Sequence, residues 1–229
     1  MISINQERIS DSPFVEKITH GQTLREGSTI RPAEMHWHMV VSRYIGKNHL
    51  IVVGPLTSSG HASWGPDAEI LWIKFKLGAF MPHLPPRMAL DVETVLPDAS
   101  SNSFWLKGSA WEYPDAENVD VFIERLIREE LLVSDPLIKD VLQGYPQSLS
   151  PRTVRHRVLQ ATGLTRSRIF QMERARKAAD LLQQGSSILD TVSELGYFDQ
   201  PHLTRSLKHW VGYTPAQVVQ AQVDDQIAV

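Results

Sequence analysis

The residues best equipped for chemistry stand in two short runs of the C-terminal third. In "DQPHLTRSLKHW", Leu203, Leu207 and Trp210 fall at i, i+4 and i+7, the spacing of a buried helix face. Gln200, His202, Thr204, Arg205 and Lys208 are then left for the outer side. In "SPRTVRHRVL", Arg152, Thr153, Arg155 and His156 hold the same outward places. The guanidinium fork of arginine matches the O6/N7 edge of guanine, and the amide of glutamine matches the N6/N7 edge of adenine. Arg152, Arg155 and His156 in the first run, with Gln200, His202 and Arg205 in the second, are therefore candidates for contacting base edges. Thr153, Ser167, Thr204 and Lys208 suit phosphate oxygens, which position a protein without specifying sequence. The competing reading is a solvated face, with Arg205 paired to Glu194 or Asp199 and Arg157 or Arg174 in local salt bridges.

Charge bears on that choice. Over 229 residues the net charge is −3, which taken alone argues against a polyanionic partner. Between Ser150 and Gly212, however, ten basic residues stand against five acidic ones, with thirteen against twenty-one elsewhere. A positive segment joined to a negative one suggests a polyanion-binding module attached to a part with another task. An architectural binder with no sensing part would need a broadly basic chain, and the front half is acidic. With no cysteine, disulfides, thiol catalysis and cysteine-ligated zinc are excluded. The start "MISINQERISDSPF" has no apolar run and no stretch is long enough to span a bilayer, so a cytoplasmic address without membrane contact is expected.

The two runs belong to a repeat. Ser150 falls on Asp199, Val154 on Leu203, Val158 on Leu207, Gly163 on Gly212 and Thr165 on Thr214, at a constant offset of 49 residues. Each copy opens on a capping residue and stops at glycine. Each follows a shorter helical segment, "PLIKDVLQG" or "SILDTVSELG", the second with Ser187 and Asp190 at capping-box spacing. A short helix, a tight turn and a polar-faced helix make a helix-turn-helix unit. Between the copies, Ile169, Met172, Ala175, Ala179 and Leu182 form one stripe ending at Gly185. A helix of roughly 19 residues spans about 28 Å, close to the roughly 34 Å between successive major-groove faces of B-DNA. Two units on such a strut suit two adjacent major grooves of one double-stranded DNA.

The front half reads differently. In "ILWIKFKL", Ile73, Phe75 and Leu77 alternate with Lys74 and Lys76, as in a half-buried strand. "HMVVSRY" and "HLIVVG" are β-branched runs, and "GPLTSSG" and "WGPD" signal turns. Five of the six tryptophans lie here, and a small β core is expected to hold most of them. Trp64, Trp72 and Arg43 are the candidates for lining a ligand pocket. "VFIERLIREELLV" reads as an amphipathic helix through Val121, Leu126, Ile127 and Leu131, and "SDPLIKDVLQG" as a second helix capped by Ser134 or Asp135. The expected fold class is α+β, with a β-rich domain over 1–134 and an all-α domain over 135–229. His36 and His38 in "MHWHM" are two apart, the spacing of a cupin-like metal pair. That makes a metal-dependent enzyme or ligand-binding module tethered to DNA the alternative for the front half. Two ordinary histidines are the preferred reading, since no acidic residue follows at short spacing. No Gly-rich phosphate loop or G-x-S-x-G elbow is present, so no catalytic residue, metal or cofactor is assigned.

The last eighty or so residues resemble the DNA-binding region of the AraC/XylS family of bacterial transcription regulators. The resemblance is carried by "RARKAADLLQQGSSILDTVSELGYFDQPHLTRSLKHWVGYTPAQV", through Arg174, Ala178, Leu182, Ile188, Gly196-Tyr197, Leu203, Arg205, Lys208, Gly212 and Thr214-Pro215. "GYFDQPHL" resembles a subgroup with a small β-rich front domain. In the first unit, "LIKDVLQGYPQSLS" lacks the small residues usual at the turn, and His156 stands where many members carry arginine. The resemblance implies two helix-turn-helix units joined by one long helix, and a sequence-specific regulator that activates or represses. It also implies modulation through the front domain by a small-molecule effector or a protein partner, with RNA polymerase a further partner. Since one chain already carries two units, both a monomer and a homodimer fit.

Overall fold

The computed structural model describes residues 2–220. In chain order the front half holds β1 (Ile2–Ile9), β2 (Val15–Thr23), β3 (Gly27–Arg31), β4 (His38–Tyr44), β5 (Lys47–Val53), β6 (Gly60–Trp64), β7 (Glu69–Phe75) and β8 (Ala79–Phe80). A 3-10 turn at Pro86–Met88 leads to β9 (Glu93–Val95), β10 (Asp98–Ser100), β11 (Ser103–Leu106) and β12 (Ser109–Glu112). Then come α1 (Val119–Arg128), β13 (Val133–Ser134), α2 (Leu137–Leu142), α3 (Pro151–Thr162), α4 (Arg166–Gln183), α5 (Ile188–Glu194) and α6 (Gln200–Trp210). The fold is α+β, strand-rich in front and helical behind. No helix of the described residues is long and apolar enough to cross a membrane.

Two compact units divide the chain. The first comprises Met1–Ser28, Met35–Pro55 and Ser63–Arg166. Its main sheet runs β1-β2-β7-β4-β5-β9, antiparallel throughout. The alternation read in "ILWIKFKL" sends Leu71, Ile73 and Phe75 inward, where they join Met39, Val41, Leu50 and Val52. Phe104, Leu106 and Trp111 of the β10-β11-β12 meander close the same core, together with Phe122, Ile123 and Leu126 of α1. The buried stripe of α1 is Val119, Phe122, Ile123 and Leu126, whereas Val121, expected within it, is 67% exposed. Charged neighbours hid which of two overlapping stripes faces the sheet.

The tryptophan expectation holds for fewer residues than anticipated. Trp37 stacks flat on Phe75 at 3.8 Å, its Nε1–H donating to the Ala79 carbonyl at 2.6 Å, and Trp111 is fully buried. Trp72 and Trp105 are exposed, and Trp64 is half-buried against Gly27. Register explains Trp72. It lies on the outer face of β7, opposite Thr19 of β2 and Val40 of β4.

Residues 135–166 group with the strands rather than with the rest of the helices. Local contacts account for this. β13 pairs with β8, and the Asp135 N–H donates to the Gly78 carbonyl at 3.0 Å. A Cβ on Gly163, at the end of α3, would lie 2.9 Å from the Pro86 carbonyl carbon. The second unit comprises Thr29–Glu34, Leu56–Ala62 and Ser167–Val229. Its core gathers Ala178, Ala179 and Leu182 of α4 with Tyr197, Leu203, Leu207 and Val218.

Both copies of the repeat open as their caps dictate. Ser150 Oγ accepts the Thr153 N–H at 3.2 Å, and Asp199 Oδ1 accepts the His202 N–H at 2.7 Å. Their glycines, Gly163 and Gly212, take the left-handed backbone at φ 72° and 93°. Asp199→Ala should lower the unfolding free energy by about 1 kcal/mol, and Leu203→Ala, from the centre of the second core, by about 2–5 kcal/mol. Chemical denaturation of the two variants measures both.

Candidate nucleic-acid interface

The site is built most completely on α6. Leu203, Leu207 and Trp210 are buried, so the helix has one fixed inner face. Gln200, Arg205 and Lys208 are exposed, with no side-chain partner among the described residues. Arg205 pairs with neither Glu194 nor Asp199 in this arrangement. The Thr204 hydroxyl donates to the Gln200 carbonyl at 2.9 Å, which holds it against its own helix.

His202 is half-buried and locally engaged. Its Nδ1 accepts the Phe198 N–H at 3.3 Å, while its ring meets Tyr197 edge-on at 5.1 Å. Asp199 thus caps the His202 N–H, while the His202 ring reaches back one residue further, to the Phe198 N–H. Only Nε2 of His202 is left to face outward chemistry.

In the first unit, Arg152, Arg155 and His156 are likewise exposed on α3 without a side-chain partner among the described residues. Thr153 is exposed and shares a 2.9 Å hydroxyl contact with Ser150. Ser167 is exposed in the first turn of α4. Eight residues separate α2 from α3, against five between α5 and α6. The looser first turn agrees with the missing small residues there.

The neighbouring arginines behave differently. Arg157 forms a two-pronged pair with Asp135, whose hydrogen bonds push its guanidinium further up from an already high pKa. Asp135 Oδ1 also accepts the Leu137 N–H at 3.0 Å, so one carboxylate ties the start of α2 to α3. Arg174 lies over the Tyr197 ring at 4.3 Å, and Arg176 pairs with Glu34 at 3.0 Å. Their charges serve local packing. The long helix between the units, α4, is unbroken over 18 residues, about 27 Å. All five stripe residues, Ile169, Met172, Ala175, Ala179 and Leu182, are buried.

Residues 147–221 match the family described as "Helix-turn-helix domain". The chain carries a C-terminal helix-turn-helix domain of the AraC/XylS type. It is a DNA-binding transcription regulator. No curated protein and no solved structure matches the chain.

In the front half, the candidate metal pair is otherwise engaged. His36 Nε2 lies 3.1 Å from Glu16, and His38 Nδ1 accepts the Trp72 Nε1–H at 2.8 Å. No group of three or more metal-ligating side chains occurs among the described residues. Arg43 donates to the Pro114 carbonyl at 3.2 Å, and Trp64 to the Arg25 carbonyl at 3.1 Å.

Two features escaped the sequence. Phe198, directly before the α6 cap, is 91% exposed. Its only signal was an aromatic residue that no periodicity absorbed. The second is the far end of α6. Ser59 Oγ and N–H donate to the Lys208 and His209 carbonyls at 3.0 and 2.8 Å, and the Ala33 N–H donates to Trp210 at 2.7 Å. Nothing in the spacing linked these segments.

Arg157 and Arg155 separate structure from recognition. Arg157→Ala should lower the melting temperature while leaving the salt dependence of DNA binding unchanged. Arg155→Ala should do the reverse. Thermal melts and binding titrations at several salt concentrations check both.

Proposed function

We propose that the chain is a sequence-specific regulator whose two helix-turn-helix units enter adjacent major grooves of one duplex. α3 and α6 are the reading helices, and the functional division is a regulatory part over 1–134 and a DNA-binding part over 135–229. Base edges fall to Arg152, Arg155, His156, Gln200, His202 and Arg205, and phosphates to Thr153, Ser167, Thr204 and Lys208. The observation that carries this reading is the contrast on α6, where Arg205 and Lys208 are exposed and have no partner among the described residues, beside a buried Leu203-Leu207-Trp210 face. In chain order, α4 runs unbroken for 18 residues from the first helix-turn-helix unit to the second. Such a chain needs no second copy to span two grooves, and it acts in the cytoplasm, with RNA polymerase within reach at a promoter.

Modulation through the front half, by a small molecule or a protein partner, draws support from the end of α6. Residues 29–34 and 56–62 belong to the second unit, and Ala33 and Ser59 hold the last carbonyls of the reading helix. A shift in either segment alters how α6 is held.

Arg205→Ala should reduce specific affinity by about 1–3 kcal/mol and leave non-specific binding largely intact. Lys208→Ala should weaken binding to all sequences alike and flatten the salt slope by about one unit. Wild-type titrations from both variants would remove these assignments. Gly212→Ala tests the coupling. Its methyl would meet Ile30 Cγ2 at 2.3 Å on a left-handed backbone, so it should change operator affinity although no outward-facing side chain is altered. Unchanged affinity would sink the coupling.

A further inference from the structure

Phe198 is the most exposed large apolar side chain of the described residues, at 91%. Single exposed apolar residues are ordinary on protein surfaces. What distinguishes this one is that everything around it is fixed. On one side, Tyr197 is buried, lies under Arg174 at 4.3 Å and meets Ser206 through its hydroxyl at 3.2 Å. On the other, Asp199 caps α6. The backbone N–H of Phe198 itself donates to His202 Nδ1. The ring is therefore presented from a pinned backbone, two residues before Gln200, which starts the helix whose N-terminal residues are proposed to approach base edges.

The major groove offers one apolar feature to such a ring, the C5-methyl group of thymine. The side chain has no charge for phosphate and no donor or acceptor for a base edge. We propose that Phe198 is a specificity residue that packs on a thymine methyl at the edge of the segment contacted by α6. This rests on α6 being a groove-entering helix, as argued above. The local design follows from it. His202 uses its Nδ1 to hold the Phe198 backbone, so at this edge an apolar contact adds to the hydrogen bonds offered by the outward side of α6.

The test begins by selecting a site from random duplexes with the full-length protein. Each thymine of that site is then replaced singly by deoxyuracil, which lacks only the methyl group. One thymine in the half contacted by α6 should prove sensitive, its replacement weakening wild-type binding about fourfold, the worth of one buried carbon. Phe198→Ala should lose a similar factor on the parent site and become indifferent to that replacement, while Phe198→Leu keeps part of the preference. The salt slope should stay constant in all three proteins.

The proposal is overturned if no deoxyuracil matters, if its penalty is the same in Phe198→Ala, or if the selected half-site has no thymine. It also falls if Phe198→Ala binds normally but loses transcriptional activation, which would assign the ring to a protein partner. Arg205→Ala run alongside separates the two levels. If it loses affinity while Phe198 shows no methyl coupling, only the thymine contact falls. If it binds as wild type and nothing is enriched, the groove-entering role of α6 falls too.

Discussion

Helix α6 depends on how its last backbone carbonyls are satisfied. A helix leaves its final C=O groups without internal partners, and leaving such groups buried and unpaired is costly. In α6 those of Lys208, His209 and Trp210 are met by Ser59 and Ala33, roughly 150 or more residues away in the chain. Gly212 makes the approach possible. Its left-handed backbone turns the chain away, and its missing Cβ leaves room for the Ile30 methyl. Gly163, its counterpart in the first copy, admits the backbone at Pro86 and Arg87 in the same way. In each copy, then, the glycine that ends the second helix is also where a front-half segment makes close contact. The repeats share local chemistry and differ in what holds them.

That anchoring gives meaning to the division among the arginines. Ten basic residues between Ser150 and Gly212 are one undifferentiated stripe in the sequence. The fold separates them by what lies within reach. Arg157 meets the carboxylate that starts α2, Arg176 meets Glu34, and Arg174 covers Tyr197. Arg152, Arg155 and Arg205 meet nothing among the described residues. An unpaired guanidinium keeps its five donors available to a planar acceptor pair, which is the condition for bidentate base recognition. Tight local pairing of some charges fixes the frame from which the others project.

The front unit solves a different problem. One core serves the inner face of the six-stranded sheet, the meander and α1, and its aromatic members interlock, with Trp111 and Phe122 edge-on at 5.9 Å. The opposite face carries an in-register row of Thr19, Trp72, Val40, Ile51 and Val95 across five strands. His38 reaches that row through its hydrogen bond with Trp72, and His36 Nε2 lies 3.1 Å from Glu16.

Local rules, read along the chain, determined much of this molecule. Caps at Ser150, Ser187 and Asp199 accept the hydrogen bonds their spacing requires, and the α4 stripe is buried as its period demands. The repeat was legible because each copy places a capping residue, an apolar pair and a glycine at the same spacing, and these act within a few turns of helix. The α1 stripe was misjudged because it included Val121, which lies about 200° around the helix from Val119, and only the sheet decides which side is covered. Likewise Trp37 and Trp72 look alike until the fold stacks Trp37 on Phe75 and strand register puts Trp72 on the outer face of β7. Only tertiary structure could choose which arginines pair, draw His202 back to Phe198, and bring Ala33 and Ser59 to the end of α6. These are contacts between residues whose separation in sequence carries no period, so distance in space, set by the whole fold, was the deciding quantity.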